Sequence, residues 1–283
     1  MARASRTTSL AVSTPSTLAD RELRAIVSLV YEQSGISLHD GKRELVAARL
    51  QKRLRHLGLA SYDEYLRCLE EDRSGEELTQ LLDAIATNHT SFFREPQHFT
   101  YLTSTVLPSR GAAREATLEG WCAASSTGEE PVTIAMTLLE AGVTRFRLLA
   151  SDLSTKALAV ARGGVYKLPQ VSGVPVPLLR KYFEKGLGEQ EGLARVVPAV
   201  RQAIEYRRLN LIAMDRLDRQ FDFIFCRNVM IYFDRQVQQR VVSMLENHLA
   251  PGGYLFISHS ESLNSVQHRL RWVAPAVYRR ETL

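Results

Sequence analysis

Three cysteines in 283 residues, Cys68, Cys122 and Cys226, stand far apart and form no C-x-x-C. So sparse and odd a set fits buried thiols in a reducing compartment better than a disulfide framework. No apolar run approaches the roughly 18 residues that a membrane span needs. The 7 histidines are scattered, with no H-x-x-x-H and no Cys/His ligand spacing, so no metal is expected. The first 19 residues, MARASRTTSLAVSTPSTLA, contain no acid, and their apolar run is too short for a signal peptide. They are expected to be a flexible tail. The charge excess is also small: 36 Lys and Arg against 31 Asp and Glu give +5, compatible with an anionic partner but not diagnostic of nucleic acid.

What is present is a composition able to bury a core, 45 % hydrophobic, enough for one large domain or two modest ones. Residues 20–107 read as a helical domain. Leu23, Ile26, Val27 and Val30 recur at helical spacing, with a stop near Gly35. A second helix over about 42–57 carries Val46, Leu50, Leu54 and Leu57 on one face. SYDE at 61–64 reads as a capping box, as does Ser74 with Glu77, and another helix is expected after Pro96. PSRGAAREA, 108–116, reads as a linker. From 117 to 283 the period changes. LEGWCAA, FRLLAS, FDFIFCRN and GGYLFISH read as strands, separated by helical stretches such as EPVTIAMTLLEAG and VQQRVVSMLENHLA. That alternation predicts a largely parallel, doubly wound α/β sheet. Prolines and glycines over 167–205 break the rhythm and predict a small inserted subdomain.

Ligands of such sheets sit beyond the carboxyl ends of the strands. Four tips qualify: the turn CAASSTGEEP, Asp152, Asn210 with Leu211, and Arg227 with Asn228. The turn lacks G-x-G-x-x-G, so a pyrophosphate cradle is not supported. Gly128 and its small neighbours let a ligand approach the backbone. Glu129 and Glu130 would repel a diphosphate but receive a cationic amine, or else simply open a helix, where acids are favoured. Asp152 at a strand tip can accept both hydrogen bonds of a ribose diol. A nucleoside with a positive, phosphate-free tail fits these parts, and S-adenosylmethionine is such a molecule.

At this point the sequence resembles the bacterial chemotaxis receptor glutamate O-methyltransferase (CheR-type) family. The resemblance lies in NHTSFFRE (88–95), WCAASSTGEEP (121–131), ASDLS (150–154), ARGGVY (161–166), RRLNL (207–211), FCRNVMIYFD (225–234) and GGYLFISHSESL (252–263). It implies a Rossmann-like S-adenosylmethionine-dependent methyltransferase sheet with an N-terminal all-helical domain and a small inserted β-subdomain. It also implies cofactor contacts from Asn88, Thr90, Arg94, Glu129 or Glu130, Asp152, Asn210, Leu211, Arg227 and Asn228. The family's Tyr-Ser after GEEP is Val132-Thr133 here. The implied reaction methylates glutamate side chains on the cytoplasmic helical bundles of methyl-accepting chemoreceptors. It yields methyl esters and S-adenosyl-L-homocysteine for sensory adaptation.

On that resemblance NHTSFFRE reaches from the helical domain across the cleft. Arg94 suits the methionyl carboxylate, because a guanidinium forks onto a carboxylate bidentately. Arg94 and Tyr232 are the candidate catalytic residues, Tyr232 orienting the incoming carboxylate. A glutamate with a reference pKa of about 4.3 is already ionised at neutral pH, so no general base is required. Lys42, Arg49, Lys52, Arg53 and His56 gather beside the apolar face of the second helix, with Arg55 beyond. Lys42, Arg49, Lys52, Arg53 and Arg55 are the expected dock for an acidic receptor. No membrane insertion or nucleic-acid partner is expected, and the place of action is the cytoplasm, at membrane-bound or soluble chemoreceptor arrays. A catalytically silent cofactor sensor or receptor-docking module, and a nucleic-acid methyltransferase, are the competing readings.

Overall fold

A computed structural model describes residues 17–38, 40–111, 116–213 and 217–282. Most of the expected tail and the middle of the expected linker lie outside the described residues. The chain divides into two compact units, one running to Gln33 and over Leu38–Ile85, the other comprising Ser34–Ser37 and everything from Ala86 onward. The division falls after Ile85 and not in the 108–116 stretch, and the reason is burial. Phe92, Phe99, Leu102 and Val106 enter the same apolar core as the sheet residues Leu118, Phe223 and Phe256.

The first unit contains α1 (Asp20–Ser34) as far as Gln33, α2 (Arg43–Leu57), α3 (Tyr62–Glu71) and α4 (Glu76–Ile85). Leu23, Ile26, Val30, Val46, Leu50, Leu54, Leu81 and Ile85 are buried, as their spacing predicts. Leu18, expected in the tail, is buried too, and its carbonyl accepts a 2.6 Å hydrogen bond from Arg43. Ser61 caps α3 by accepting from Glu64 N at 3.2 Å, while the Glu64 carboxylate takes Ala60 N at 2.8 Å, one residue earlier than a strict capping box. The Ser74–Glu77 box does not form. Asp72 accepts Glu77 N at 2.7 Å, and the Glu77 carboxylate is committed to Arg53. Arg53 and Arg49 therefore tie α2 to α4, Arg49 through Ile85 O.

In the second unit α5 (Gln97–Tyr101) starts after Pro96 and passes through one wide turn, Leu102–Val106, into α6 (Leu107–Ser109). Then come β1 (Leu118–Cys122), α7 (Glu129–Glu140), β2 (Phe146–Asp152) and α8 (Thr155–Gly163). The insert holds β3 (Val165–Lys167), α9 (Val176–Tyr182), β4 (Phe183–Lys185), β5 (Leu193–Val196) and α10 (Pro198–Arg201). Its antiparallel sheet has the order β3-β5-β4. The insert thus begins at Val165, slightly before the expected 167, and ends before 205, because Ile204 already pairs with Leu148 of the main sheet. β6 (Ile204–Arg208), β7 (Phe221–Phe225), α11 (Arg235–His248), β8 (Leu249–Phe256), β9 (Leu270–Ala274) and β10 (Val277–Arg280) complete the fold.

The main sheet has the order β6-β2-β1-β7-β8-β10-β9. The first five strands are mutually parallel, and β10 and β9 add an antiparallel hairpin that the sequence pattern did not disclose. In β1, Gly120 leaves room for a neighbour: a Cβ there would lie 2.3 Å from the Phe223 ring of β7. The ring takes that space, and Phe225 stacks on Phe256 at 4.3 Å. A buried aromatic layer of this kind stabilises by about 2 kcal/mol or more per ring.

Candidate active site

The strand order reverses between β1 and β7. From β1 the chain builds outward through β2 to β6, and from β7 it builds the other way through β8. The crevice beyond the carboxyl ends at such a point is where open α/β sheets hold ligands. The four tips named from sequence end four successive strands, β6, β2, β1 and β7.

After β1 the chain turns through Ser125–Gly128. Gly128 has φ 98°, and a Cβ there would meet both the Ala161 methyl and the Tyr166 hydroxyl at 2.8 Å. No other residue type fits that position without displacing α8 or β3. Ser126, with φ 48°, donates its N–H to Asp152 Oδ2 at 2.8 Å, and Ser154 N donates to Oδ1 at 2.8 Å. These bonds set the plane of the Asp152 carboxylate against the loop. Leu209 N binds Asp152 O at 3.1 Å, which brings Asn210 and Leu211 alongside. Asn210 Oδ1 accepts Ile212 N at 3.2 Å in a local turn.

The adjacent glutamates differ. Glu130 is paired with the buried Arg227 guanidinium and accepts Cys122 Sγ at 3.3 Å. Glu129 is 2 % exposed, accepts Thr127 Oγ1 at 2.6 Å, and has no cationic partner among the described residues. Burial pushes its carboxyl pKa up, only partly opposed by the Thr127 hydroxyl.

Residues 88–95 belong to the unit that contains the sheet, so they do not reach over from the helical unit. Phe92 packs edge-on against Tyr166 at 5.1 Å and Phe183 at 5.5 Å, while half-buried Phe93 meets Phe99 at 5.8 Å. Asn88 O accepts Ser126 Oγ at 3.2 Å. Phe93 N donates to Thr133 Oγ1 at 3.3 Å, and that hydroxyl donates to Glu129 O at 2.7 Å. The Val132-Thr133 variation therefore packs without disturbing the loop. Asn88, Thr90 and Arg94 are half-buried. Arg94 donates to His89 O at 3.2 Å and has no carboxylate within ion-pair distance among the described residues.

Arg227, at the tip of β7, has the opposite character. Its side chain is 1 % exposed and pairs with Glu130 and with Glu95 at 3.0 Å, while Nη2 also donates to Arg94 O at 2.6 Å. Burial works against its charge, but the carboxylates of Glu130 and Glu95 outweigh that and raise its pKa. Asn228 follows with φ 58°, its Nδ2 on Ser258 Oγ at 2.6 Å. The Glu261 carboxylate accepts Asn228 N at 3.1 Å, Met230 N at 2.9 Å and Ser258 N at 2.8 Å, folding the β7 and β8 loops around one anion. Tyr232 is half-buried, and its carbonyl accepts Ser37 N at 2.8 Å beside the Ile36–Phe233 bridge.

Sequence reasoning missed Glu95, His98, His259 and Glu261. The pairing of REP with HSES across the fold is a long-range contact with no local signal. Glu95, His98 and His259 bring possible ligand atoms within 4.8 Å of one another, but Glu95 is already committed to Arg227, Ser258 and His259 N.

The switch point thus gathers a buried carboxylate without a cation among the described residues, a half-buried guanidinium without a carboxylate among them, and a strand-tip aspartate. The fold, together with the family it matches, makes the chain an S-adenosylmethionine-dependent methyltransferase. Residues 88–278 match the family model for the CheR methyltransferase SAM binding domain, and residues 21–86 match that for the CheR methyltransferase all-alpha domain. The chain is 39 % identical over 265 residues to the chemotaxis protein methyltransferase of Escherichia coli K12, covering 92 % of this chain and 91 % of that one. It is 42 % identical over 254 residues to chemotaxis protein methyltransferase 2 of Pseudomonas aeruginosa, covering 88 % and 89 %. A relative from Borreliella burgdorferi, also a chemotaxis protein methyltransferase, is 34 % identical over 271 residues, covering 92 % and 94 %. The chain belongs to the CheR methyltransferase family. No helix among the described residues is long and apolar enough to cross a membrane.

Proposed function

We propose that this enzyme methylates glutamate side chains on the cytoplasmic helical bundles of chemoreceptors, producing glutamate methyl esters and S-adenosylhomocysteine for sensory adaptation. The observation that carries the reading is the pairing of opposite unmet charges at one switch point. Among the described residues Arg94 has no carboxylate within ion-pair distance and Glu129 has no cationic partner, within a family whose relatives are chemotaxis methyltransferases.

S-adenosylmethionine supplies a methyl group on a positively charged sulfur. In our assignment Asp152 receives the ribose hydroxyls and Arg94 the methionyl carboxylate, while Glu129, rather than Glu130, faces the positive end. Asn88, Thr90, Asn210, Leu211 and Asn228 close around the nucleoside. Arg227 and Glu130 act from beneath, since their charged groups are consumed by each other and by Glu95. Tyr232 orients the acceptor carboxylate through its hydroxyl. That carboxylate is ionised at neutral pH, so the protein's task is alignment and exclusion of water, which favours a reaction that annihilates two charges.

The receptor contact falls to the exposed cations of α2 and to Lys42 just before it. Lys42, Lys52 and Arg55 are exposed, whereas Arg49 and Arg53 are turned toward Ile85 O and Glu77. We place the action in the cytoplasm, at receptor arrays.

The test is incubation with methyl-labelled S-adenosylmethionine and receptor cytoplasmic fragments from the same host. Volatile methanol released by mild alkali, and lost when candidate receptor glutamates become alanine, is the expected result. Alkali-stable label on added RNA, or no transfer despite cofactor binding and a folded receptor, overturns the proposal.

A further inference from the structure

The residue after Arg94 is not among the assigned contacts, yet it joins Arg227, Ser258 and His259 at the site. Glu95 has φ 55° and Phe93 has φ 54°, so Arg94 is bracketed by two non-glycine residues in the left-handed region. Such backbone persists only where surrounding bonds over-determine it. The bonds are present here. Glu95 Oε1 accepts Ser258 Oγ at 2.7 Å, and Oε2 accepts His259 N at 3.3 Å and pairs with Arg227 Nη2 at 3.0 Å. Two chains of contact leave this carboxylate. One runs through Arg227 Nη2 to Arg94 O at 2.6 Å. The other runs through Ser258 Oγ, which accepts Asn228 Nδ2 at 2.6 Å.

We propose that Glu95 is a positioning residue that holds Arg94 and Asn228 in register with each other, so that both ends of the cofactor are met at once. The inference rests on the reading that Arg94 and Asn228 contact S-adenosylmethionine. Glu95 touches neither donor nor acceptor. It acts by fixing the peptide that presents the Arg94 side chain and the amide that presents Asn228. A glutamine in its place retains the length and can still accept from Ser258, but it sets an uncharged amide against the Arg227 guanidinium. The Arg227 link is lost and the Ser258 link is kept.

The experiment is a double-mutant cycle on the full chain, reading the affinity for S-adenosylhomocysteine by calorimetry, with a thermal melt for every variant. Arg94→Ala alone should weaken binding at least tenfold, and Glu95→Gln alone about tenfold, as for loss of one charge-assisted contact. The double variant should bind no more weakly than Arg94→Ala, because Glu95 works through Arg94. Glu95→Asp, which keeps the charge, should restore part of the loss. Should Glu95→Gln not fold, Ser258→Ala cuts the second link alone, and its loss should vanish in an Asn228→Ala background. Additive losses in the cycle, or wild-type affinity for Glu95→Gln, overturn the role of Glu95 and leave the cofactor reading intact. Wild-type affinity for Arg94→Ala instead removes that reading, and the role of Glu95 with it.

Discussion

Two sets of charged side chains near the strand tips, a paired layer and an unpaired pair, are built from the same residue types in opposite surroundings. In the paired layer, Arg227 is held by Glu95 and Glu130, and Glu261 is saturated by backbone N–H groups. In the unpaired pair, Arg94 and Glu129 lack opposite charges among the described residues. A charge whose partners are supplied by the protein fixes geometry, and in our proposal a charge without one is kept for a ligand. The two arginines are one hydrogen bond apart, from Arg227 Nη2 to Arg94 O. Their different surroundings, rather than their chemistry, separate the roles.

Removing Arg227 should therefore have the largest effect, and on folding. Arg227→Ala leaves buried Glu130 and half-buried Glu95 without their shared cation, at a cost of about 3–5 kcal/mol. Urea denaturation should reveal a lower midpoint with little change in slope. A stable Arg227→Ala protein that has lost only cofactor affinity would erase the distinction between the paired layer and the unpaired pair.

The same layer holds a pH-sensitive group. His98 is 1 % exposed and packs against His259 at 4.8 Å, near Glu95 and Arg227. Burial first, then the Arg227 charge, lowers its pKa to about 4, with Glu95 opposing. The unfolded chain, with a pKa near 6.5, binds the proton more readily, so this contribution to stability is complete above about pH 6.5 and is lost as pH falls toward 4. The span corresponds to at most about 3 kcal/mol. Stability measured from pH 4 to 7 should rise with pH, and His98→Phe should flatten that rise. An unchanged slope would mean that other groups set it.

How much of this was legible in the sequence follows from the range of each signal. The helical unit, the alternating strands and helices, and the four strand tips follow from short-period patterns, and the tips proved to be neighbours because a doubly wound order makes them so. The boundary at Ile85 was not legible, because Phe92, Phe99 and Leu102 continue a helical-looking stretch while burying themselves elsewhere. Nor was the difference in partners between Glu129 and Glu130, since adjacent residues at the start of a helix point in different directions and only Arg227, distant in sequence, decides which is paired. The antiparallel edge formed by β9 and β10 went unread for a similar reason: WVAPAVY is short and its partner is β8.

That glutamate pair sharpens the comparison with a smaller effect. Glu129→Gln should weaken cofactor binding while slightly raising stability at neutral pH, because it removes a buried carboxylate whose ionisation the fold disfavours. Since the Glu129 pKa is raised, the gain should shrink as pH falls toward the ordinary carboxylate range, where the wild-type group is also neutral. Glu130→Gln should do the reverse, lowering stability by about 1–3 kcal/mol through the loss of the Arg227 pair. Melting curves with and without S-adenosylhomocysteine separate the two. The same ranking in both measurements would overturn the assignment of Glu129 to the ligand.

The smallest effect is expected on α2, where the rule can be tested in the unit that does not contain the sheet. Arg53 is paired with buried Glu77, whereas Lys52 and Arg55 stand exposed on the same helix. Arg53→Ala should lower the midpoint of unfolding by leaving Glu77 unpaired, and should change receptor methylation only as far as it changes the folded fraction. Lys52→Ala with Arg55→Ala should leave stability within about 0.5 kcal/mol. It should slow methylation several-fold at low salt, and the difference from wild type should close as salt is added, because exposed charges attract across water that salt screens. Initial rates at two ionic strengths decide the matter. If the Lys52/Arg55 variant is as fast as wild type at both, the exposed cations are only a solvated face, and the receptor is held by some other surface.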